Sequence, residues 1–293
     1  MLTGFFILLF IFILFAIFIL NTYTETVPNV QFMAEHHLLL EKDHPDGLLE
    51  DEEHHLLRLQ SLPTSVNLWT RQGSSKIPVD DQGQFGSCTA HAMRYAWNLY
   101  RMKQNPNAVL TLPSRTFWYA ESRMRLGDRN FSKDNGSTIS ATVWALVNKG
   151  SITETLYPYT AQNINRAPPS SIETQALSNR LSLPFQIRYS SATANTLSSL
   201  KTALSNGQSI QIGILVYASF MTPGVMRTGV IPMPRARESL LGGHAICLTG
   251  YNDSTQMFSF RNSWGTSVGI NGLFQIPYAY ISNPAYSGDA WAF

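Results

Sequence analysis

Between Gly4 and Leu20 the chain carries no polar side chain, and this run, GFFILLFIFILFAIFIL, constrains the fold more than any other feature. A helix of about 20 apolar residues crosses a bilayer core of about 30 Å, and Met1 to Leu20 just reaches that length. A cleaved leader would open on a basic stretch and close on small residues. No Lys or Arg precedes this run, and Asn21-Thr22-Tyr23-Thr24 comes directly after it, with Tyr23 suited to the membrane interface. Residues 1–20 are therefore expected to form a retained single-pass transmembrane anchor. Its orientation is not encoded nearby, because the first basic residue is Lys42.

Beyond the anchor the chain divides by charge. Residues 21–60 hold nine acids against Lys42 and Arg58, a net −7, whereas the 19 bases and 10 acids that remain give residues 61–293 a net +9. The whole-chain charge of +2 thus conceals an acidic segment facing a basic domain, and gives no reason to expect nucleic acid as a partner. Five of the seven histidines, His36, His37, His44, His54 and His55, lie in the acidic segment. Glu35-His36-His37-Leu38-Leu39 recurs as Glu53-His54-His55-Leu56-Leu57, with His44-Pro45-Asp46-Gly47 as a turn between them. Adjacent histidines on a helix do not face one metal ion, so no metal is expected. Residues 21–60 read either as a solvated linker or as a prosegment that covers the basic domain. From residue 61 the composition is globular, and two cysteines in all, Cys88 and Cys247, exclude a disulfide scaffold and a multi-cysteine zinc site.

Three short patterns in residues 61–293 carry chemistry. Asp81-Gln82-Gly83-Gln84-Phe85-Gly86-Ser87-Cys88 is a glycine-rich loop that runs into a helical pattern from Thr89 to Met102. Cys88 falls at the helix start, where the partial positive charge of the helix end favours a thiolate and is expected to lower the thiol pKa. Leu241-Gly242-Gly243-His244-Ala245-Ile246-Cys247-Leu248 reads as a glycine turn opening a buried strand, with His244 at its start. Phe258-Ser259-Phe260-Arg261-Asn262-Ser263-Trp264-Gly265 reads as a short alternating strand that ends in an amide and an indole. A thiol, an imidazole and an amide supply a nucleophile, a base and a group to orient the base. His91, one turn after Cys88, is a second candidate base, but it points along the helix rather than across a cleft.

Together these patterns resemble the papain-like cysteine peptidases. The matching residues are Gln82-Gly83, Gly86-Ser87-Cys88, Gly243-His244-Ala245 and Asn262-Ser263-Trp264-Gly265, with Gly269 and Gly272 after them. Val66-Asn67-Leu68-Trp69, Asn135-Gly136-Ser137, the helix Ile139 to Asn148 and Tyr157-Pro158-Tyr159 fall in the family's order, so the resemblance covers roughly residues 61–285. It implies an α+β fold of two lobes, helical after Cys88 and β-rich around His244 to Ile276, with the site in the groove between them. It also implies that Cys88 is the nucleophile, His244 the base and proton donor, Asn262 the orienting amide and Gln82 the oxyanion-hole donor. Trp264 would shield the His244–Asn262 bond and, with Gly136, Ser137 and Gly243, border the bound substrate. The expected partner is a polypeptide, with a hydrophobic or aromatic side chain two positions before the cut, and no cofactor.

The departures from the family matter as well. Phe85 and Thr89 stand where relatives commonly carry a disulfide cysteine and an aromatic residue, and the usual disulfides are missing, so Cys247 reads as a buried strand residue. Disulfide-poor relatives of this kind resemble those of bacteria and large DNA viruses, which makes the expected location a viral or host endomembrane. His244 lies 156 residues after Cys88, beyond the family's usual spacing of about 130–150, and implies modest insertions. The organisation expected is an anchor at 1–20, an acidic inhibitory prosegment or linker at 21–60 and a peptidase domain at 61–293. The alternative is a catalytically silent papain-like protein that works as a structural or membrane-anchoring element, for example in a virus particle.

Overall fold

A computed structural model describes residues 62–70, 74–107, 109–181, 184–189 and 193–293. The expected anchor and the acidic segment lie outside the described residues. Among the described residues no helix is long and apolar enough to cross a membrane.

Helix α1 (Cys88–Gln104) is the element on which the two halves meet. Its side chains are buried without interruption from Cys88 to Leu99, which requires protein on every side rather than one solvent-facing stripe. It packs against α2 (Arg115–Arg125) and α3 (Ile139–Lys149) on one side and against the sheet on the other. Ser114 and Thr138 accept hydrogen bonds from Phe117 N and Ala141 N and so cap α2 and α3 with their hydroxyls. Ser87 precedes α1 but does not cap it with its side chain. That hydroxyl goes to the site instead. The short helices α4 (Ala161–Ile164) and α5 (Ser170–Ala176) complete the helical half. In the second half, α6 (Thr193–Ser205) and α8 (Tyr278–Ile281) pack on the sheet, and α7 (Pro223–Thr228) lies within one strand connection.

The strands are β1 (Ser65–Asn67), β2 (Phe185–Ile187), β3 (Ile210–Tyr217), β4 (Leu240–Asn252), β5 (Met257–Arg261), β6 (Leu273–Pro277) and β7 (Ser287–Ala292). They form one antiparallel sheet in the order β2-β7-β3-β4-β5-β6, with β1 paired to the far end of β4. Gly250 makes that last pairing possible, since a Cβ there would come within 2.2 Å of the Val66 carbonyl oxygen. His244 sits opposite Ile214 of β3, which places it near the start of the longest strand, beside α1.

The expected helices appear with slightly longer bounds, Cys88–Gln104 and Ile139–Lys149. The β-rich span expected around His244 to Ile276 is β4 to β6, but the sheet also recruits β3, β7, β2 and β1 from outside it. Strand β3 is buried on both faces over its first five residues, and a short apolar run of that kind has the same sequence pattern as a buried helix segment.

Candidate active site

Two loops and one strand end bring the site together. The Gln82 loop is held on the segment Asn262–Gly265 by main-chain bonds, Gln82 N donating to Ser263 O (2.8 Å) and Gly265 N to Asp80 O (2.9 Å). Ser263 Oγ donates to Gln82 Oε1 (2.7 Å), and Gln82 Nε2 donates to Phe85 O (2.8 Å). An amide nitrogen carries two protons, so the second Nε2 proton remains for a further acceptor. Gln82 is thereby fixed beside the N-terminus of α1, where Cys88 is the first helical residue.

His244 Nε2 lies 2.8 Å from Asn262 Oδ1, and Ser263 N donates to the same oxygen at 2.8 Å. The backbone donor identifies that atom as oxygen, so the imidazole must carry its proton on Nε2 and keep a lone pair on Nδ1. The Trp264 ring is stacked on the imidazole at 4.9 Å and 28°. It is only 5% exposed and packs against Phe220 and Phe274. Trp264 therefore covers the His244–Asn262 bond from solvent and offers little surface of its own.

Burial changes the electrostatics expected from sequence. It pushes the Cys88 thiol up to about 11, against the lowering effect of the Ala245 and Thr89 backbone groups, while the Asp134 carboxylate adds to the rise. The lowered thiol pKa expected from the helix start is thus corrected, because desolvation outweighs the helix end. Burial likewise holds His244 down at about 4, with the Asn262 bond opposing it. Each charge is costly when formed alone.

Of the residues expected to border substrate, Gly136 has a φ of +77° and Gly243 is half-buried beside His244. Ser137 is buried and donates its hydroxyl to Ser122 Oγ (2.7 Å), which leaves main chain as its contribution to a cleft. Cys247 is a free, fully buried strand residue paired with Gln211, as expected. Cys88 is also free.

Sequence reasoning missed several supporting residues. Asp134 Oδ2 accepts from Gly86 N (2.8 Å) and its other oxygen accepts from Tyr119 OH, joining the Cys88 loop to α2 and to the Gly136 turn. The Tyr95 hydroxyl accepts from Asp80 N (2.6 Å) and donates to Asn262 O (3.2 Å). The Tyr159 hydroxyl donates to Gln82 O (2.8 Å) and lies 2.6 Å from Ser87 Oγ. Only Tyr159 carried a signal, as part of Tyr157-Pro158-Tyr159. The others are single polar residues in otherwise ordinary stretches.

Residues 62–283 match the family model described as papain family cysteine protease. An uncharacterised peptidase C1-like protein of Acanthamoeba polyphaga mimivirus is 32% identical over 213 residues, covering 72% of this chain and 68% of the viral protein. Pro-cathepsin H of Bos taurus is 24% identical over 221 residues, which span 73% of this chain and 59% of that protein. Among solved structures, xylellain, a cysteine protease from Xylella fastidiosa, superposes with a TM-score of 0.75 at 26% identity, covering 89% of this chain and 96% of xylellain. The extent of the family match, and a fold shared over nearly all of xylellain, establish that the chain belongs to the papain family of cysteine proteases.

Proposed function

We propose that the chain hydrolyses peptide bonds as a thiol endopeptidase through Cys88 and His244. The observation that carries this is the His244–Asn262 bond of 2.8 Å beneath Trp264, because it leaves Nδ1 as the free basic atom of the imidazole. Cys88 Sγ gives its proton to Nδ1 and attacks the peptide carbonyl carbon. Oxyanion charge is met by the second Nε2 proton of Gln82 and the Cys88 N–H, which has no carbonyl one turn before it. His244 then protonates the departing amine as the C–N bond breaks, leaving a thioester on Cys88. A water molecule, deprotonated by His244, attacks the thioester, and the acid product leaves with the S–C bond broken. Gly136, Ser137 and Gly243 present main chain to an extended polypeptide, a mode in which backbone pairing supplies affinity.

The test is covalent labelling of the full chain by an epoxide thiol-protease inhibitor, read by intact mass. One label per chain is expected, lost in Cys88→Ala. Absence of labelling at every pH from about 4 to 8 would remove the peptidase reading in favour of the catalytically silent structural protein.

Residues 1–20 supply a membrane anchor in this proposal, supported by the apolar run from Gly4 to Leu20. The full chain should stay in the pellet after alkaline carbonate extraction and become soluble when residues 1–20 are deleted. Recovery of the full chain in the soluble fraction would overturn the anchor.

Residues 21–60 act as an inhibitory prosegment, a reading supported by their net −7 against the +9 domain and by the similarity to a pro-cathepsin. Below about pH 6 the five histidines protonate, taking the segment from −7 toward −2 and weakening its attraction to the domain. The sign is release on acidification. Activation should therefore begin at higher pH in the wild type than in a variant with His36, His37, His44, His54 and His55 all changed to Gln. Identical activation profiles would overturn the prosegment's histidine switch.

A further inference from the structure

Behind the site lies a cluster of charged side chains that peptide hydrolysis by Cys88 and His244 does not use. His91, 0% exposed, points its Nδ1 at Asp80 Oδ2 (3.2 Å), and Asp80 is itself 4% exposed. Arg94 Nη1 and Arg115 Nη1 approach the other Asp80 oxygen at 3.4 and 3.3 Å, and Arg115 Nη2 pairs with Glu154 Oε1 at 2.7 Å. Arg115 also stacks over the Tyr159 ring at 4.5 Å, while His91 packs edge-on against the same ring at 5.0 Å.

This cluster is tied to the Gln82 loop, to Ser87 and to the Asn262–Gly265 segment. Asp80 stands two residues before Gln82, and its main chain is clamped at both ends, by Tyr95 OH on N and by Gly265 N on O. The Tyr159 hydroxyl that meets Gln82 O and Ser87 Oγ belongs to the ring His91 packs against. We propose that His91 and Asp80 form a buried positioning pair that holds the Gln82 loop in register with the start of α1, and that the pair works only while His91 is neutral. The inference rests on the thiol-peptidase reading.

The requirement for neutral His91 comes from geometry. A carboxylate at Nδ1 places the proton there, and Nε2 is buried with no hydrogen-bond partner. A second proton on Nε2 would have no acceptor. The groups acting on the ring are Asp80 from the loop, Arg94 of α1, Arg115 of α2 and Tyr159 from the segment after α3, with Glu154 paired to Arg94 and Arg115 beside them. His244 of β4 adds a further repulsive influence on the ionised ring. Two carboxylates and two guanidiniums balance around a neutral imidazole, and protonation leaves one uncompensated buried charge. Burial lowers the His91 pKa in agreement, although the Asp80 bond opposes it.

The experiment compares wild type with His91→Asn and His91→Leu, each first held at about pH 5 until residues 21–60 are released, using a fluorogenic peptide amide with a hydrophobic residue at the second position and iodoacetamide alkylation of Cys88. Asn keeps a donor near the place of Nδ1 and cannot ionise, whereas Leu removes the donor. At pH 7.5, His91→Leu should lower kcat about 10-fold with KM within about twofold, and His91→Asn should keep kcat within about threefold. The acid limb of the rate profile should lie at lower pH in His91→Asn than in wild type. Equal kcat in the two variants, or an unchanged acid limb in His91→Asn, would overturn the proposal. Should His91→Leu fail to fold, Tyr159→Phe tests the far end of the link without removing a charge, and an unaltered kcat there would overturn it. A wild type that cleaves no peptide would count against the peptidase reading, and the alkylation rates would still rank the three proteins for His91.

Discussion

Cys88→Ser is expected to lower peptide hydrolysis by about 10⁴-fold or more while leaving the thermal midpoint nearly unchanged. Serine keeps the shape and branching of cysteine, so the substitution leaves the buried cluster to which Cys88 belongs largely filled. The chemistry differs far more. A serine hydroxyl holds its proton several orders of magnitude more firmly than a thiol, and an imidazole that burial holds down at about 4 is a weak acceptor for it. Asn262→Ala should cost less, about 10- to 100-fold, since Trp264 still stacks on the imidazole and only the tautomer preference is lost. The check is kcat/KM beside a thermal melt for each variant. Equal losses in both, with equal melts, would show that Asn262 does more than orient His244.

His244→Ala is expected to be as severe, and its pH dependence carries the information. Without the imidazole the Cys88 thiol has no proton acceptor, and burial, with the Asp134 carboxylate adding to it and backbone groups opposing it, sets its titration at about 11. Alkylation of Cys88 by iodoacetamide at pH 7 should then fall by about 100-fold or more and climb steadily with pH toward that value. Wild type should be far less pH-dependent between about 6 and 9 if, as proposed, its thiolate forms by proton transfer to His244. The two pH profiles, measured by mass spectrometry, decide the point. Parallel profiles would mean that the helix end and the Ala245 and Thr89 backbone groups suffice to form the thiolate.

Acid acts on this protein in two opposed ways. On the proposed prosegment reading it neutralises the acidic segment and favours release of the domain, but it also charges His91 and His244, both buried. A histidine whose folded pKa lies below the free value of about 6.5 stabilises the fold fully above that pH, and the contribution disappears as pH falls through the folded value. For His244 that window runs from about 6.5 down to about 4. On the proposed peptidase reading, the acid edge of activity is therefore expected to be set by His91 and His244 inside the domain.

The sequence alone determined the local chemistry. Cys88 at a helix start, His244 after a glycine turn and Asn262 at a strand end are each defined by their immediate neighbours. Loop, turn and strand-end geometry depends on a few adjacent residues, so the family and the residues of the candidate site were legible in the chain itself. The tertiary structure decided what surrounds those groups. Asp80 meets His91, Tyr159 meets Gln82 and Ser87, Asp134 meets Gly86, and Tyr95 meets Asn262, across separations of 11 to 167 residues. Such contacts leave no periodicity in the chain. Desolvation is likewise a property of everything packed around a group, so the thiol that the helix end alone would acidify is instead pushed up by the protein that encloses it.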